Sequence, residues 1–266
     1  MQVIILPTAH DVALYTADCV VDVVNSHPEP VLGLATGSTP IALYNALVRH
    51  YKAKQISFAQ TKSFNLDEYI GIPATHRQSY RSFMNQYFFD LIDIETINTY
   101  VPLASSLDTK VLMNCAQAFE NDIKLAGGIH LQILGIGLNG HIGFNEPTSS
   151  FASRTRIKTL SESTIKANQR FFEEGEFQPQ LALTMGMGTI LDSKSILLMA
   201  TGKAKAQAVK NMIEGPLSAM CPASALQQHS TAMVVLDDDA ASLLELKEYY
   251  LWCEKKRQQL HEGSLI

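Results

Sequence analysis

The residues best suited to chemistry lie in GIGLNGHIGFNEP, 135 to 147, directly after the apolar run HLQIL. His141 is followed five residues later by Glu146. A carboxylate can hold an imidazole in one tautomer and raise its basicity, so the two form a candidate acid/base pair. The alternative is a buried, hydrogen-bonded histidine with a structural role. The glycines around His141 favour catalysis, because they permit tight turns and close approach of a ligand.

The same stretch matches a dinucleotide-binding pattern, because Gly135 to Gly140 fits G-x-G-x-x-G after a strand. That fingerprint must open a helix whose N-terminus receives the pyrophosphate. Here Gly143 and Pro147 interrupt the run, and no apolar helical period follows. Glu162 lies at a plausible distance for a ribose carboxylate, so spacing alone leaves dinucleotide binding open as a minor alternative.

A second candidate site is FNLDEYIG, in which Asp67 and Glu68 follow the predicted strand TKSFN. Open α/β sheets bind ligands at the carboxyl ends of their strands, so one of these carboxylates could be a general base. Paired acids in a loop are more often solvated or capping residues. A metal site is a third reading, but no His or Cys adjoins them, and His76 is too far along the chain to assume proximity.

A third candidate is the loop TGSTP, which follows the apolar strand VLGLA and precedes a helical run. Hydroxyls and N–H groups at a helix N-terminus form an anion site, so Thr36, Gly37, Ser38 and Thr39 could bind a phosphate. We expect Thr39 to cap the helix and Pro40 to take its first position, as in an ordinary capped turn. Farther along, TMGMGTI is another glycine turn between a strand and a helix, and Arg170 and Lys205 are cations that could neutralise a phosphate.

These residues lie between apolar runs that alternate with helix-period stretches. The predicted strands are VIIL, VLGLA, TKSFN, INTYV, HLQILGIG, QLALTM, SILLMA and TAMVVL, and the predicted helices cover 10–25, 40–54, 80–90, 108–126, 203–213 and 239–260. The alternation predicts a single-domain, Rossmann-like α/β fold over 1–266, with an open, mostly parallel sheet and helices on both faces. Residues 148–180 break the alternation, with SRTRIKT followed by a predicted helix, and could form a mobile lid.

Composition narrows the function classes. The 266 residues are 46% hydrophobic, with a net charge of -5, so no basic field favours nucleic acid. The N-terminus lacks a basic region before its short apolar run, and no segment has the length to span a bilayer, so we expect a cytoplasmic protein. The cysteines are far apart and form no C-x-x-C pair, which predicts buried or incidental thiols at Cys19, Cys115, Cys221 and Cys253.

Taken in order, LATGSTP, SFNLDEYIG, GIGLNGHIGFNEP, SRTRIKTL and ALTMGMGTIL resemble the glucosamine-6-phosphate deaminase (isomerase) family along nearly the whole chain. The resemblance implies conversion of glucosamine 6-phosphate and water to fructose 6-phosphate and ammonia, without a redox cofactor or catalytic metal. It implies that His141 opens the sugar ring, that Glu146 is its partner, and that Asp67 moves a proton from C2 to C1. Thr36 to Thr39, Arg170 and Lys205 match the family's phosphate-binding positions.

Two positions depart from the family pattern. Asn139 stands where many members carry a second carboxylate, so we expect it to orient His141 or a sugar hydroxyl rather than relay a proton. Ser149, Arg156, Lys158 and Thr159 match a loop that binds the activator N-acetylglucosamine 6-phosphate between subunits of a hexamer in some members. The C-terminal tyrosine of that site is not aligned, because Cys253 takes its place and Tyr249 and Tyr250 lie a turn earlier.

Two rival functions remain at this stage. A 6-phosphogluconolactonase or another sugar-phosphate isomerase would share the scaffold, although the carboxylate of FNLDEY argues against a lactonase. A non-catalytic sugar-phosphate sensor would carry a DNA-binding helix-turn-helix or lack Asp67 or His141, and the sequence shows neither feature. Release of ammonia from glucosamine 6-phosphate separates these possibilities.

Overall fold

A computed structural model describes residues 1–169, 172–173 and 175–261. Its main element is a sheet of seven parallel strands in the order β1-β10-β9-β6-β2-β3-β5. The strands are β1 Gln2–Leu6, β2 Val31–Leu34, β3 Lys62–Asn65, β5 Thr99–Tyr100, β6 Leu131–Leu134, β9 Ser195–Ala200 and β10 Ala232–Asp237. This confirms the predicted mostly parallel α/β fold.

Helices cover both faces of this sheet, as predicted. The helices of the described residues are α1 Ala9–Ser26, α2 Ser38–Lys52, α3 Tyr80–Tyr87, α4 Thr109–Leu125, α5 Glu162–Asn168, α6 Met187–Leu191, α7 Ala206–Ile213 and α8 Lys247–His261. Of these, α5 packs through Ile165 against a separate cluster that includes Tyr69 and Phe144. One core cluster holds side chains of α1, α2 and α3 together with Leu197 and Met199 of β9. The other holds α4, α6 and α7 with Ile196 and Leu198. Alternate residues of β9 therefore face opposite layers, and the central strands are buried on both sides.

A second sheet was not foreseen. It contains β4 Asp67–Tyr69, β8 Leu181–Thr184 and β7 Arg156–Thr159, antiparallel in the order β4-β8-β7. The run QLALTM is thus a strand, as predicted, but lies outside the main sheet. The placement of Asp67 and Glu68 in a loop after TKSFN is wrong, because both residues belong to β4 and pair with β8. Strand β4 has only three residues, and two of them are Asp and Glu, which are uncommon in strands, so its sequence does not predict a strand.

Several helix ends also differ from the predictions. Helix α2 begins at Ser38 with Gly37 as its N-cap, so Thr39 is not the cap and Pro40 is not the first helical residue. The cause is the backbone at Gly37, whose φ of 107° turns the chain two residues earlier. The last helix begins at Lys247 rather than at 239, because turns occupy the residues before it. Residues 203–205 form a 3₁₀ turn ahead of α7.

The topology places the candidate residues at one edge of the main sheet. Strands β9, β6, β2 and β3 are neighbours and run parallel, so the loops after them meet at their shared carboxyl edge. The segments that follow these strands carry Lys205, His141, Thr36 to Thr39 and Asp67. The four cysteines are free thiols. Within the described part of the chain, no helix is long and apolar enough to cross a membrane.

Candidate active site

The two neighbouring carboxylates after β3 have separate roles, because successive residues of a strand point to opposite faces. Glu68 turns toward the start of α3, where it accepts hydrogen bonds from Ser79 Oγ (2.7 Å) and from the N–H groups of Tyr80 (3.0 Å) and Arg81 (3.1 Å). Asp67 turns the other way, toward the loop that contains His141. The geometry therefore favours Asp67 as the base and gives Glu68 a capping role.

Asp67 is buried, with 6% of its surface exposed. Burial, followed by the negative charge of Glu68, raises the pKa of its carboxyl from 3.8 to about 8, against a smaller opposing effect from the backbone N–H of Phe144. A carboxylate with a pKa in this range is a stronger base than an ordinary aspartate and can accept a proton from a carbon acid near neutral pH.

The loop after β6 is shaped by glycines that hold His141 in place. A Cβ atom at Gly137 would lie 2.3 to 2.5 Å from three atoms of the His141 ring, so only glycine leaves room for this imidazole. The N–H of Gly137 donates to the carbonyl of His141 at 2.9 Å. Gly140 has a φ of 82° and packs on Cys221, where a Cβ atom would lie 2.6 Å from Sγ.

Glu146 faces His141 and is itself strongly held. Its Oε2 lies 3.4 Å from Nδ1 of His141, an ion-pair distance at which Nδ1 makes no well-formed hydrogen bond. Its Oε1 accepts a hydrogen bond from Thr164 Oγ1 at 2.6 Å. Burial raises the pKa of this carboxyl, but the facing imidazole and the bonds from Thr164 and Asn139 outweigh burial and lower the pKa to about 2. Glu146 is therefore ionised at neutral pH and can stabilise an imidazolium.

Asn139 links the two members of this pair. Its Nδ2 donates to Glu146 Oε2 at 2.7 Å, and its Oδ1 accepts the backbone N–H of His141 at 3.2 Å. The amide therefore orients the loop, which agrees with the expectation that it does not relay a proton.

The His141 loop and Asp67 meet at Gly143. A Cβ atom there would lie 3.3 Å from Asp67 Oδ2 and 3.3 Å from Thr184 Oγ1. The N–H of the next residue, Phe144, donates to Thr184 Oγ1 at 3.1 Å. Two acid/base centres separated by more than seventy residues in sequence thus share one site.

Two alternatives from the sequence can be compared with the structure: a dinucleotide site at this loop and a metal site at Asp67 and Glu68. No helix forms between Leu134 and Arg156, all of which the structure describes, so the G-x-G-x-x-G spacing lacks the helix that a dinucleotide needs. His76 contacts Glu176 at 2.9 Å rather than the carboxylates of β4. No group of three or more His, Cys, Asp or Glu side chains forms a metal site in the described ranges.

The phosphate candidates lie at the same edge. Gly37 and Ser38 are exposed at the N-terminus of α2, between Thr36 and Thr39, which are half-buried. Lys205 Nζ donates to the carbonyl of Ile136, in the His141 loop, at 2.5 Å, and burial lowers its pKa. Arg170 lies outside the described residues.

A family model described as "Glucosamine-6-phosphate isomerases/6-phosphogluconolactonase" matches residues 7–235. This chain belongs to that family. A protein of Marinomonas sp. (strain MWYL1), named glucosamine-6-phosphate deaminase, is 72% identical over 265 residues and is covered completely, as is this chain. A protein of the same name from Colwellia psychrerythraea (strain 34H / ATCC BAA-681) is 55% identical over 262 residues, covering 98% of this chain and 97% of its own.

Two solved structures resemble this chain in fold. A monomeric glucosamine-6-phosphate deaminase superposes with a TM-score of 0.87 at 42% identity, over 91% of this chain and 100% of its own. A 6-phosphogluconolactonase from Trypanosoma cruzi superposes with a TM-score of 0.73 at 18% identity, over 92% of this chain and 97% of its own. The lactonase likeness shows the shared fold alone.

The residues that match the activator loop of some family members lie beside the catalytic loop. Ser149 is buried and donates from Oγ to the carbonyl of Glu146 at 2.6 Å. Arg156 donates to Asn145 Oδ1 at 2.9 Å. Lys158 and Thr159 follow on β7.

Sequence reasoning missed two polar residues that support the family's catalytic loop. Asn145 is fully buried and donates from Nδ2 to the carbonyls of Ile142 (3.0 Å) and Met185 (2.8 Å), which ties the loop to the end of β8. Thr164, in α5, holds Glu146. The sequence signal for Asn145 is its place between His141 and Pro147. Thr164 has no local signal, because its role depends on where α5 packs.

Proposed function

We propose that this chain converts glucosamine 6-phosphate and water to fructose 6-phosphate and ammonia, in the catabolism of amino sugars such as N-acetylglucosamine. The relatives named above support the assignment. The observation that carries it is the position of Asp67, a buried carboxylate of raised pKa set against the loop of His141 and Glu146.

In the proposed first step, His141 opens the sugar ring. It takes the proton of the anomeric hydroxyl and returns it to the ring oxygen, while ionised Glu146 stabilises the imidazolium that forms between these transfers. The product of this step is the open aldehyde, whose C2 hydrogen is acidic.

In the second step, Asp67 removes the proton from C2. The electrons of that C–H bond form the double bond between C1 and C2, while the π electrons of the C1 carbonyl move to its oxygen, which takes a proton from the ammonium group on C2 to give an enolamine. Asp67 then delivers its proton to C1. This leaves a protonated imine at C2, to which water adds before ammonia leaves. Each acid/base centre contributes roughly 10²- to 10⁴-fold to the rate.

The phosphate group supplies binding energy away from the reacting carbons. We propose that the N–H groups and hydroxyls of residues 36–39 bind it together with Lys205 and Arg170. Binding at this remote group fixes C1 and C2 against Asp67, and this orientation increases the rate of the chemical step.

A coupled assay for fructose 6-phosphate and ammonia tests the function. We expect the wild type to release both from glucosamine 6-phosphate and to leave 6-phosphogluconolactone unhydrolysed. Asp67→Asn and His141→Gln should each lose at least about 10²-fold in kcat. Asp192→Asn, an exposed aspartate paired with Arg154, is the matched control and should retain activity. Lactone hydrolysis without ammonia release would reject the proposal.

We propose two further properties from the resemblance, a homo-hexamer and activation by N-acetylglucosamine 6-phosphate at Ser149, Arg156, Lys158 and Thr159. One solved relative is described as monomeric, so the hexamer needs a direct test. Light scattering measures it directly. Velocity against substrate with and without the acetylated sugar phosphate tests activation, and identical hyperbolic curves would remove it. A cytoplasmic location remains a prediction from the sequence.

We also propose that 148–180 acts as a lid over the site. Two of its described residues hold neighbouring parts of the chain: Thr164 donates to Glu146 in the His141 loop, and Glu176 pairs with His76 (2.9 Å) and Arg77 (3.1 Å), ahead of α3. Fructose 6-phosphate should therefore slow proteolytic cleavage inside this segment. Equal cleavage with and without the sugar phosphate would argue against a lid.

A further inference from the structure

Glu68 is a buried carboxylate with an unusually complete set of donors. Only 4% of its surface is exposed. Its Oε1 accepts the N–H groups of Tyr69 (2.9 Å) and Tyr80 (3.0 Å), and its Oε2 accepts Ser79 Oγ (2.7 Å) and the N–H of Arg81 (3.1 Å). Burial raises the pKa of the Glu68 carboxyl, and the hydrogen bonds to its ionised form oppose that rise.

These contacts join β4 to the start of α3, next to a second contact in which the hydroxyl of Tyr80 donates to that of Tyr69 at 3.2 Å. Glu68 is the central residue of the three-residue strand β4, and Ser79 is the N-cap of α3. The carboxylate therefore fixes β4 against the positive end of the helix dipole. Because Asp67 and Glu68 are adjacent in one strand, fixing one side chain also fixes the direction of the other.

We propose that Glu68 is a positioning residue for the reaction: it anchors β4 to α3 so that Asp67 faces the substrate, and its negative charge makes Asp67 a stronger base. This inference rests on the proposed function, in which Asp67 removes the C2 proton.

The electrostatics support the second half of the proposal. After burial, the charge of Glu68 is the next cause that raises the pKa of Asp67 to about 8. The other groups around the pair do not replace it. Tyr69 and Tyr80 are phenols whose pKa burial raises, so they stay neutral.

Basic side chains also face this region, from other elements. Arg81, on α3, interacts with Glu68 and donates to Thr99 Oγ1 at 2.7 Å. His141 reaches the site from the loop after β6. Arg156, on β7, is separated from Asp67 by β8, because both pair with Thr184. Glu68 is thus the negative charge that acts on Asp67.

Glu68→Gln removes the negative charge but keeps most of the hydrogen bonds that anchor β4 to α3. The amide oxygen can keep both Oε1 contacts, to Tyr69 and Tyr80. The amide NH₂ can donate to Ser79 Oγ, whose hydroxyl is free to rotate and already accepts the N–H of Arg81 at 3.1 Å. The variant therefore keeps most of the cap and loses the charge.

The expected result is a shift of the acid limb of kcat/KM to lower pH by about one unit in Glu68→Gln, because a like charge that raised the pKa of Asp67 is gone. The ionisations of the substrate are the same in every experiment, so a difference between the pH profiles of two variants comes from the enzyme. Ser79→Ala, which keeps the charge, should leave the limb in place.

Glu120→Gln is the matched control for carboxylate-to-amide replacement. Glu120 accepts hydrogen bonds from Thr155 N (2.7 Å) and Thr189 Oγ1 (2.6 Å), outside the catalytic site. We expect its removal to lower the melting temperature and leave the pH limb unchanged.

A second readout is independent of activity. The ¹³C NMR titration of the Asp67 carboxyl, assigned with Asp67→Asn, should move to lower pH in Glu68→Gln. A folded Glu68→Gln protein with the wild-type limb and the wild-type titration overturns the inference. If the wild type releases no ammonia, the proposed function fails, while the titration still decides whether Glu68 controls the basicity of Asp67.

Discussion

At the scale of single residues, the site contains two carboxyls whose pKa values move in opposite directions. Burial and a like charge raise that of Asp67 to about 8, whereas the facing imidazole and hydrogen bonds lower that of Glu146 to about 2 despite its burial. One carboxylate is thereby suited to take a proton and the other to remain charged beside a histidine. Opposite environments for two carboxyls allow one site to supply both roles.

The raised pKa of Asp67 predicts a gain in stability when its charge is removed. The unfolded carboxyl loses its proton near pH 3.8 and the folded one near pH 8, so stability falls as pH rises between these values. Asp67→Asn removes this loss. The free energy of unfolding of Asp67→Asn, relative to that of the wild type, should therefore increase by on the order of 1.4 kcal/mol for each pH unit between these two pKa values. Thermal melts at pH 5 and pH 8 measure it, and a constant difference would contradict it.

The position of Asn139 predicts a supporting rather than an essential role. Asn139→Ala removes the 2.7 Å bond to Glu146, so the pKa of Glu146 should rise from about 2. We expect at most about a tenfold loss of kcat at neutral pH, because His141 and Glu146 remain. Asn121→Ala, on the exposed face of α4, is the control. An inactive variant with unchanged KM would show that Asn139 takes part directly.

At the scale of elements, the catalytic loop depends on glycines for space. Gly137→Ala should displace the His141 ring, because its Cβ would lie 2.3 Å from Cε1. A displacement of about 1 Å can cost roughly 10²-fold in rate, so we expect a loss of that size in kcat with KM little changed. Gly135→Ala is a matched control, because its Cβ would meet no atom within 4 Å. Steady-state kinetics on both variants test this, and equal losses would reject the steric explanation.

The elements also show what the sequence could predict. Alternating strands and helices predicted the parallel sheet, and the loops after β2, β3 and β6 predicted the edge where residues 36–39, Asp67 and His141 lie. The small sheet of β4, β8 and β7 was missed, because strands of three or four residues leave little periodicity to read. The choice between Asp67 and Glu68 depends on this sheet. The resemblance implied Asp67, and the contact of its Oδ2 with Gly143 shows that this carboxylate lies against the His141 loop.

At the scale of the whole molecule, the site is made of contacts between distant parts of the chain. Asp67 meets Gly143, Glu146 meets Thr164, and Lys205 meets Ile136. None of these contacts follows from local propensity, since each requires that the two layers of helices and both sheets be in place. Correct placement of the site is therefore a property of the complete fold.

Because the site depends on the complete fold, we expect a bound sugar phosphate to stabilise the whole molecule. Fructose 6-phosphate at about 100 times its Kd should add about 2.7 kcal/mol to the free energy of unfolding, which corresponds to several degrees in Tm. Lys205→Met should abolish most of this shift, because it removes the half-buried cation of the proposed phosphate site. Lys203→Met changes an exposed lysine of the same 3₁₀ turn and should keep it. Each variant is melted with and without the sugar phosphate, so that any intrinsic change in Tm is subtracted. A full ligand-induced shift in Lys205→Met would place the phosphate elsewhere.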